Sequence, residues 1–162
     1  MPDPSRRVMT GLGLLVRWGL AAVLLTSGAL KAVDPAQTRV AVLAYDVLPV
    51  RVVGLVATAL PVVELALGTL LLVGAFIRWA ALASAALLVV VMIGVVQAWG
   101  RGLSIDCGCF GGGGPVAEGS TRYPQELMRD VGLLAAAGWL AVRPRTALSV
   151  DEGLRGVQVS GR

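Results

Sequence analysis

The chain has 162 residues, of which 56% are hydrophobic and 15% are charged, and its net charge is +4 without any histidine. This composition is too apolar for an ordinary soluble domain of this length. The Lys and Arg residues are scattered and form no basic cluster of the kind that binds nucleic acid. The sequence therefore predicts a membrane protein surrounded by the lipid bilayer, and no nucleic-acid partner.

Four apolar runs predict four membrane-spanning helices. The first three are Val8 to Leu30, Val52 to Ile77 and Trp79 to Gly100, each long enough to cross about 30 Å of hydrocarbon at about 1.5 Å per residue. The fourth, Leu127 to Val142, is the shortest. A cleavable signal peptide is an alternative for the first run, but that run is too long and lacks an evident cleavage site. Pro61 predicts a kink in the second span.

The first connection between spans is bracketed by Pro35 and Pro49. Proline biases the preceding residue away from the helical conformation, so any helix here lies between these two positions. Val40, Leu43 and Val47 recur at nearly helical spacing, which indicates a short amphipathic helix at the membrane surface.

We predict an all-α fold, an integral membrane four-helix bundle over residues 1–145, followed by a polar tail, 146–162, that is expected to be disordered. Both termini are expected on the same side of the membrane. Eight Lys and Arg residues lie on that side, including Arg17 and Arg78, against six in the two long connections. This count favours a protein of the cell membrane with cytoplasmic termini. The long connection from Arg101 to Tyr123, which should largely lack regular structure, would then lie outside the cytoplasm.

The chain has two cysteines, Cys107 and Cys109, and they are separated by one glycine in this connection. Two cysteines without histidine leave too few ligands for a zinc site, so no metal is expected. A disulfide between them would close a small, strained ring that is readily reduced and adds little stability. Thiol exchange is the favoured role, and two incidental loop cysteines are the alternative. The charge of Asp106 is expected to raise a neighbouring thiol pKa and so to disfavour the thiolate.

Glu64 lies in the apolar middle of the second span, where an ionisable group is a functional hypothesis by default. Depth along the predicted helices places Arg17 at a similar level. A buried Arg17–Glu64 ion pair is therefore predicted, with a structural role favoured over a proton relay. Four glycines inside the spans are expected to mark close helix packing: Gly28, Gly54, Gly68 and Gly94.

The order of several short motifs resembles the methylamine utilisation protein MauE branch of the DoxX-like membrane proteins, over about residues 10 to 142. The motifs are Arg17-Trp18, Gly28-Ala29-Leu30-Lys31, Asp34-Pro35, Tyr45, Leu48-Pro49, Leu60-Pro61-Val62-Val63-Glu64-Leu65-Ala66-Leu67-Gly68 and Cys107-Gly108-Cys109-Phe110-Gly111. The resemblance implies a four-helix integral membrane protein that helps to mature a periplasmic quinoprotein dehydrogenase by forming its disulfides. It also implies candidate residues: Cys107 and Cys109 for thiol exchange, and Arg17, Lys31, Asp34 and Glu64 as polar positions of the family.

Two functions remain open on this basis. The first is a thiol–disulfide accessory protein, an oxidoreductase-like helper whose cysteine pair supports the maturation of an exported protein. The second is a non-catalytic assembly or transport subunit in which the cysteines are only structural. A small-molecule carrier is less favoured because four short helices leave little room for a pathway. With one cysteine pair, electrons would pass to a thioredoxin-like partner, which is favoured, or to a quinone, the one cofactor considered.

Overall fold

The computed structural model describes residues 4–109 and 112–144, with side chains from Thr10 onward. This part of the chain forms five helices: α1 (Pro4–Val33), α2 (Pro35–Ala44), α3 (Val50–Val73), α4 (Ile77–Gly100) and α5 (Tyr123–Val142). Two short strands, β1 (Ile105–Asp106) and β2 (Gly114–Pro115), pair antiparallel between α4 and α5. The predicted tail, 146–162, lies outside the described residues.

Three helices are long and apolar enough to cross a membrane: Thr10–Val33, Val50–Val73 and Ile77–Gly100. They confirm the first three predicted apolar spans, with ends shifted by a few residues. Among the described helices, α5 is 20 residues long but is not apolar enough to be counted as a membrane span. Its first half carries Glu126, Arg129 and Asp130, which reduce its hydropathy.

The second span ends earlier than predicted, at Val73, because of Gly74. This residue adopts the left-handed conformation, with φ 73°, and its N–H donates to the carbonyls of Leu70 and Leu71. Such a glycine cap is a common way to end a helix. Upstream, α3 continues as a helix through Pro61.

The predicted short helix after Pro35 is confirmed as α2. It begins after Asp34, whose side chain accepts a hydrogen bond from the Gln37 N–H at 2.9 Å, and a cap of this kind is stabilising. The buried residues of α2 are Thr38 and Ala41. Its apolar residues Val40 and Leu43 are exposed, so the small residues of α2 face the protein.

Helices α1 and α3 pack closely and run antiparallel. A Cβ atom on Gly28 would lie 2.9 Å from Leu65 Cγ, and one on Gly68 would lie 2.8 Å from Leu25 Cγ. These contacts confirm close packing at two of the four predicted glycines, since only a residue without a side chain fits there. At Gly54 the prediction is wrong, because an added Cβ would meet no atom within 4 Å.

The four long helices contribute to one buried core. Its residues are Leu20, Ala21, Leu24, Leu67, Leu71, Ala80, Ala81, Ala137, Leu140 and Ala141. The contacts between Gly28 and Leu65 and between Leu25 and Gly68 show that α1 and α3 are offset along their axes. At this register, α3 begins roughly 15 Å beyond the end of α1. Helix α2 and the strand pair occupy the space that this offset leaves.

Candidate functional site

The two cysteines lie in the segment that connects β1 to β2, residues 107–113, which we call the cysteine loop. Gly108 and Gly113 in this loop have φ angles of 69° and 92°, a conformation that other residues adopt only with strain. A Cβ on Gly113 would lie 2.6 Å from the Cβ of Ala41 in α2 and 2.7 Å from the Cα of Gly108. These glycines therefore allow the loop to pack directly on α2.

Lys31 and Glu64 form a buried ion pair next to the cysteine loop. The Nζ atom of Lys31 lies 2.9 Å from each carboxylate oxygen of Glu64, and both side chains are 8% exposed. The Ser27 Oγ lies 3.2 Å from Glu64 Oε1 and accepts a hydrogen bond from Lys31. The three side chains satisfy one another at a depth where an unpaired charge would be costly.

The prediction that Glu64 pairs with Arg17 is wrong, because the partner of Glu64 is Lys31. The depth estimate assumed that α1 and α3 begin level with opposite membrane surfaces, whereas the two helices are offset. Because of this offset, Lys31 is the residue of α1 that reaches Glu64. Arg17 precedes Ser27 by ten residues, which is about 15 Å along the helix, and it is fully buried there.

The ion pair also holds the cysteine loop in place. The carbonyl oxygen of Cys109 accepts hydrogen bonds from the Ser27 hydroxyl and from Lys31 Nζ, the latter at 3.2 Å. The hydroxyl of Tyr45, which directly follows α2, donates to the carbonyl of Cys107 at 3.2 Å. The backbone of both cysteines is therefore attached to side chains of α1 and of the α2–α3 connection.

The two thiols are free and differ in their tendency to ionise. The pKa of Cys107 lies below its ordinary value, first because the Cys109 thiol hydrogen-bonds to its sulfur, against the opposing effect of burial. The Cys109 N–H, 3.4 Å from that sulfur, and Arg129 Nη2, 3.9 Å from it, act in the same direction. The same thiol–thiol hydrogen bond, together with burial, raises the pKa of Cys109 well above its ordinary value. Cys107 therefore ionises first and is the better nucleophile.

The sequence predicted that Asp106 would raise the pKa of a neighbouring thiol. For Cys107 the net shift has the opposite direction. The pKa of Cys107 falls, because hydrogen bonds from Cys109 and Arg129 outweigh burial and the nearby negative charge. The carboxylate that opposes this fall is Glu126 in the first turn of α5. Adjacency in the sequence pointed to Asp106, whereas the carboxylate that raises the pKa of Cys107 is Glu126, which the fold brings close to it.

Asp106, Cys107 and Glu126 also form a three-ligand cluster. One ligand atom from each residue lies within 4.8 Å of the other two, an arrangement that could hold a metal ion. The prediction that no metal binds was based on cysteines and histidines alone. It did not include the carboxylates that the fold brings to Cys107.

The predicted polar positions have different locations. Lys31 and Glu64 lie at the cysteine loop, Asp34 caps α2, and Arg17 lies elsewhere on α1. Ser27, Tyr45 and Arg129 also contact the loop, although no role was predicted for them. Ser27 precedes Lys31 by four residues, and this spacing places both side chains on one helix face. That spacing was a usable sequence indication of Ser27.

A cavity of about 170 Å³ opens beside the cysteine loop. Lys31, Glu64 and both cysteines line it together with the ring of Tyr45. Most of the remaining wall is apolar and comes from α2, the α2–α3 connection, α3 and α4, for example Leu48, Val56, Leu60, Leu87 and Val91. Val47 and Val90 at its edge are 52% and 66% exposed. The cavity is therefore open on the outer, apolar surface of the helices.

The fold and the site define a class: a helical membrane protein in which a dithiol loop is attached to an intramembrane ion pair. The chain belongs to the family of the methylamine utilisation protein MauE, whose model matches residues 9–143. The matched region includes every residue of the site described above. Searches of curated proteins and of solved structures returned no match. Membership of this family and the three apolar helices support a role as a membrane accessory protein.

Proposed function

We propose that this protein exchanges disulfides through Cys107 and Cys109 and thereby supports the maturation of an exported protein. The observation that carries the proposal is the setting of the Cys107 sulfur: the Cys109 N–H lies 3.4 Å from it and Arg129 Nη2 lies 3.9 Å from it. These contacts and the hydrogen bond between the two thiols lower the pKa of Cys107, and the pKa of Cys109 is raised. This division suits an exchanging pair, in which one thiol attacks and the other resolves the mixed disulfide. The description of the family refers to methylamine utilisation. An exported enzyme of that process is therefore one candidate client.

In the proposed reaction, the client first forms a disulfide with Cys107. A client thiolate attacks the Cys107 sulfur of the oxidised pair, the bond between the two cysteines breaks, and Cys109 leaves and takes up a proton. A second client thiolate then attacks the client sulfur of the mixed disulfide and releases the Cys107 thiolate. Release of Cys107 is favourable because a thiol with a lowered pKa is a good leaving group. The client loses two electrons together with the two protons of its thiols. The cysteine pair gains the two electrons and one proton on Cys109, and the second proton remains in solution until the Cys107 thiolate is protonated.

Neighbouring side chains assist this exchange without taking part in bond formation. Arg129 and the Cys109 N–H stabilise negative charge on the Cys107 sulfur. Lys31, Ser27 and Tyr45 hold the loop backbone, so that the two sulfur atoms stay adjacent through the cycle.

The proposal includes a topology in which α5 is the fourth span of a bundle with cytoplasmic termini. Helix α2 contacts the cysteine loop through Ala41, which fits two connections on the same side, separated by the spans α3 and α4. The 20 residues of α5 extend about 30 Å, the thickness of the hydrocarbon core. The Arg129–Asp130 ion pair, at 2.9 Å, lowers the cost of placing these charges near the membrane.

Labelling intact cells with a membrane-impermeant thiol reagent tests this topology. The reduced cysteine pair should react from outside the cell, and the double variant Cys107→Ser, Cys109→Ser should remove the labelling. Labelling that appears only after lysis would place the loop in the cytoplasm and overturn the topology.

Acid quenching and thiol alkylation of intact membranes test the exchange itself. In the reverse direction of this exchange the Cys107 thiolate attacks a protein disulfide, so the variant Cys109→Ser should accumulate a mixed disulfide on Cys107 because the resolving Cys109 thiol is missing. The matched variant Cys107→Ser should not accumulate one. If both thiols stay reduced under all conditions and the double variant supports full client maturation, the cysteines are structural. The non-catalytic assembly or transport role would then be correct.

A further inference from the structure

We infer that the cavity beside the cysteine loop binds a quinone-class molecule, which reoxidises the cysteine pair after each exchange. The inference rests on the proposed function and identifies its electron acceptor. It starts from the number of cysteines: Cys107 and Cys109 are the two in the chain. Within these 162 residues the pair has no second dithiol to receive its electrons, so an oxidant that touches the pair is the direct way to reoxidise it.

The cavity gives such direct access. Cys107, Gly108 and Cys109 all form part of its wall, so a molecule inside it touches the redox pair. Its volume of about 170 Å³ is similar to that of an apolar protein cavity of about 150 Å³ that binds benzene. One six-membered ring fits this space.

The surroundings of the cavity select a lipid-soluble ring over a water-soluble oxidant. Its walls are almost entirely apolar, and the exposed edge residues Val47 and Val90 lie on the outer surface of the helices. In a membrane this surface faces lipid, so a ring can enter from the bilayer while its hydrocarbon tail remains among the lipid chains. Flavins carry many polar groups that these walls would leave without hydrogen bonds.

A few polar groups also line the cavity, among them the ion pair Lys31–Glu64 and Tyr45. A quinone gains negative charge on its oxygens while it is reduced. The ammonium group of Lys31 at the cavity wall has the Glu64 carboxylate as its counter-ion, so the pair acts as a fixed dipole. A fixed dipole whose positive end faces the ring stabilises negative charge that develops in a site with little water.

The redox reaction is balanced without a further reactant. The two S–H bonds of Cys107 and Cys109 break and one S–S bond forms between the sulfur atoms. The two electrons and two protons that are released convert the quinone to the hydroquinone. One quinone is consumed for each pair of thiols oxidised.

The test uses the full-length protein in lipid nanodiscs, reduced and freed of reductant. The probe is a ubiquinone analogue with a short alkyl tail and a fully substituted ring, which resists thiol addition. Hydroquinone formation is followed by absorbance, and the remaining thiols are counted after alkylation. The variant Val90→Trp narrows the cavity at its edge. Val89→Trp is the matched control, since Val89 is the adjacent exposed valine of α4 and does not line the cavity.

We expect one hydroquinone for each pair of thiols lost. The kcat/KM for quinone should fall about tenfold or more in Val90→Trp and stay near the wild-type value in Val89→Trp. Exchange of both variants with a small disulfide in solution should be unchanged. Equal quinone reduction by both variants would overturn the inference, because the cavity would then not be the site. If the wild-type protein exchanges with disulfides but does not reduce the quinone, the quinone inference is wrong and the proposed function stands. If the wild-type protein carries out neither reaction, the proposed function is wrong as well.

Discussion

The buried pair Lys31–Glu64 and the exposed pair Asp46–Arg101 have nearly the same length but different surroundings. Their N–O distances are 2.9 and 2.8 Å. Both side chains of the first pair are 8% exposed, whereas Asp46 is 78% exposed and Arg101 42% exposed. An exposed ion pair competes with hydration and contributes about 0.2–1 kcal/mol. A buried charge that loses its partner costs about 3–5 kcal/mol. Burial, and not the N–O distance, therefore decides how strongly the loss of each pair affects the stability of the fold.

Breaking the buried pair should have the largest effect. The substitution Lys31→Met leaves the Glu64 carboxylate without a cation and should lower the free energy of unfolding by about 3–5 kcal/mol. It also removes a hydrogen bond to the Cys109 carbonyl, so alkylation of Cys109 should become faster. Denaturant titration in detergent measures the first effect, and mass spectrometry of the alkylated peptides measures the second.

A double variant separates the unpaired charge from the lost contact with the loop. Lys31→Met combined with Glu64→Leu removes both charges, and replacing a buried ion pair by apolar side chains is often close to neutral. Most of the lost stability should return, while Cys109 should stay more reactive. A double variant as unstable as Lys31→Met alone would contradict the assignment of the loss to the unpaired carboxylate.

The loop can also be disturbed without changing any charge. In Gly113→Ala the new Cβ meets Ala41 at 2.6 Å, and the φ angle of 92° is unfavourable for alanine. Gly119→Ala is the matched control, since Gly119 has a φ of 80° and open space around it. Backbone strain of about 1–2 kcal/mol is common to both variants, and the clash should add about 1–3 kcal/mol at Gly113 only. Equal losses in thermal unfolding would show that the loop does not depend on its contact with α2.

A third ion pair, Arg129–Asp130, lies between the first two in burial, with side chains 33% and 3% exposed. In Arg129→Met the Cys107 sulfur loses a cation that lowers its pKa. Because the thiolate is the reactive form, its alkylation at neutral pH should slow, and the midpoint of the pH–rate profile should move to higher pH. Arg129→Lys keeps the charge and should restore part of the rate. An unchanged midpoint in Arg129→Met would remove Arg129 from the proposed mechanism.

The sequence was sufficient for the features that depend on local patterns. Long apolar runs predicted three of the long helices, and Pro35 with Pro49 enclosed the short helix α2. The glycines around Cys107 predicted an irregular loop, although a two-residue strand pair at its base was missed. These features follow from hydropathy and backbone preferences, which act over a few residues.

The partners within the site depend on how the helices pack, which local patterns do not contain. Depth arithmetic paired Glu64 with Arg17 because it could not include the offset between α1 and α3. In the same way, Glu126 and Arg129 approach Cys107 only because α5 packs beside the cysteine loop. A sequence argument can therefore identify the charged residues of such a site before it can pair them.

The smallest effect is expected for the exposed pair, and it provides the strictest test of the comparison. Asp46→Asn and Glu64→Gln each replace one carboxylate by an amide of the same shape, so the two variants differ mainly in burial. Asn also tolerates the positive φ of 50° at position 46. Asp46→Asn should lower the free energy of unfolding by about 0.2–1 kcal/mol, with a smaller loss in high salt, and Glu64→Gln by about 3–5 kcal/mol because Lys31 stays buried without a counter-ion. Equal losses in denaturant titrations would mean that water reaches Lys31 and Glu64 through the adjacent cavity, and the cavity would then be a poor site for an apolar ring.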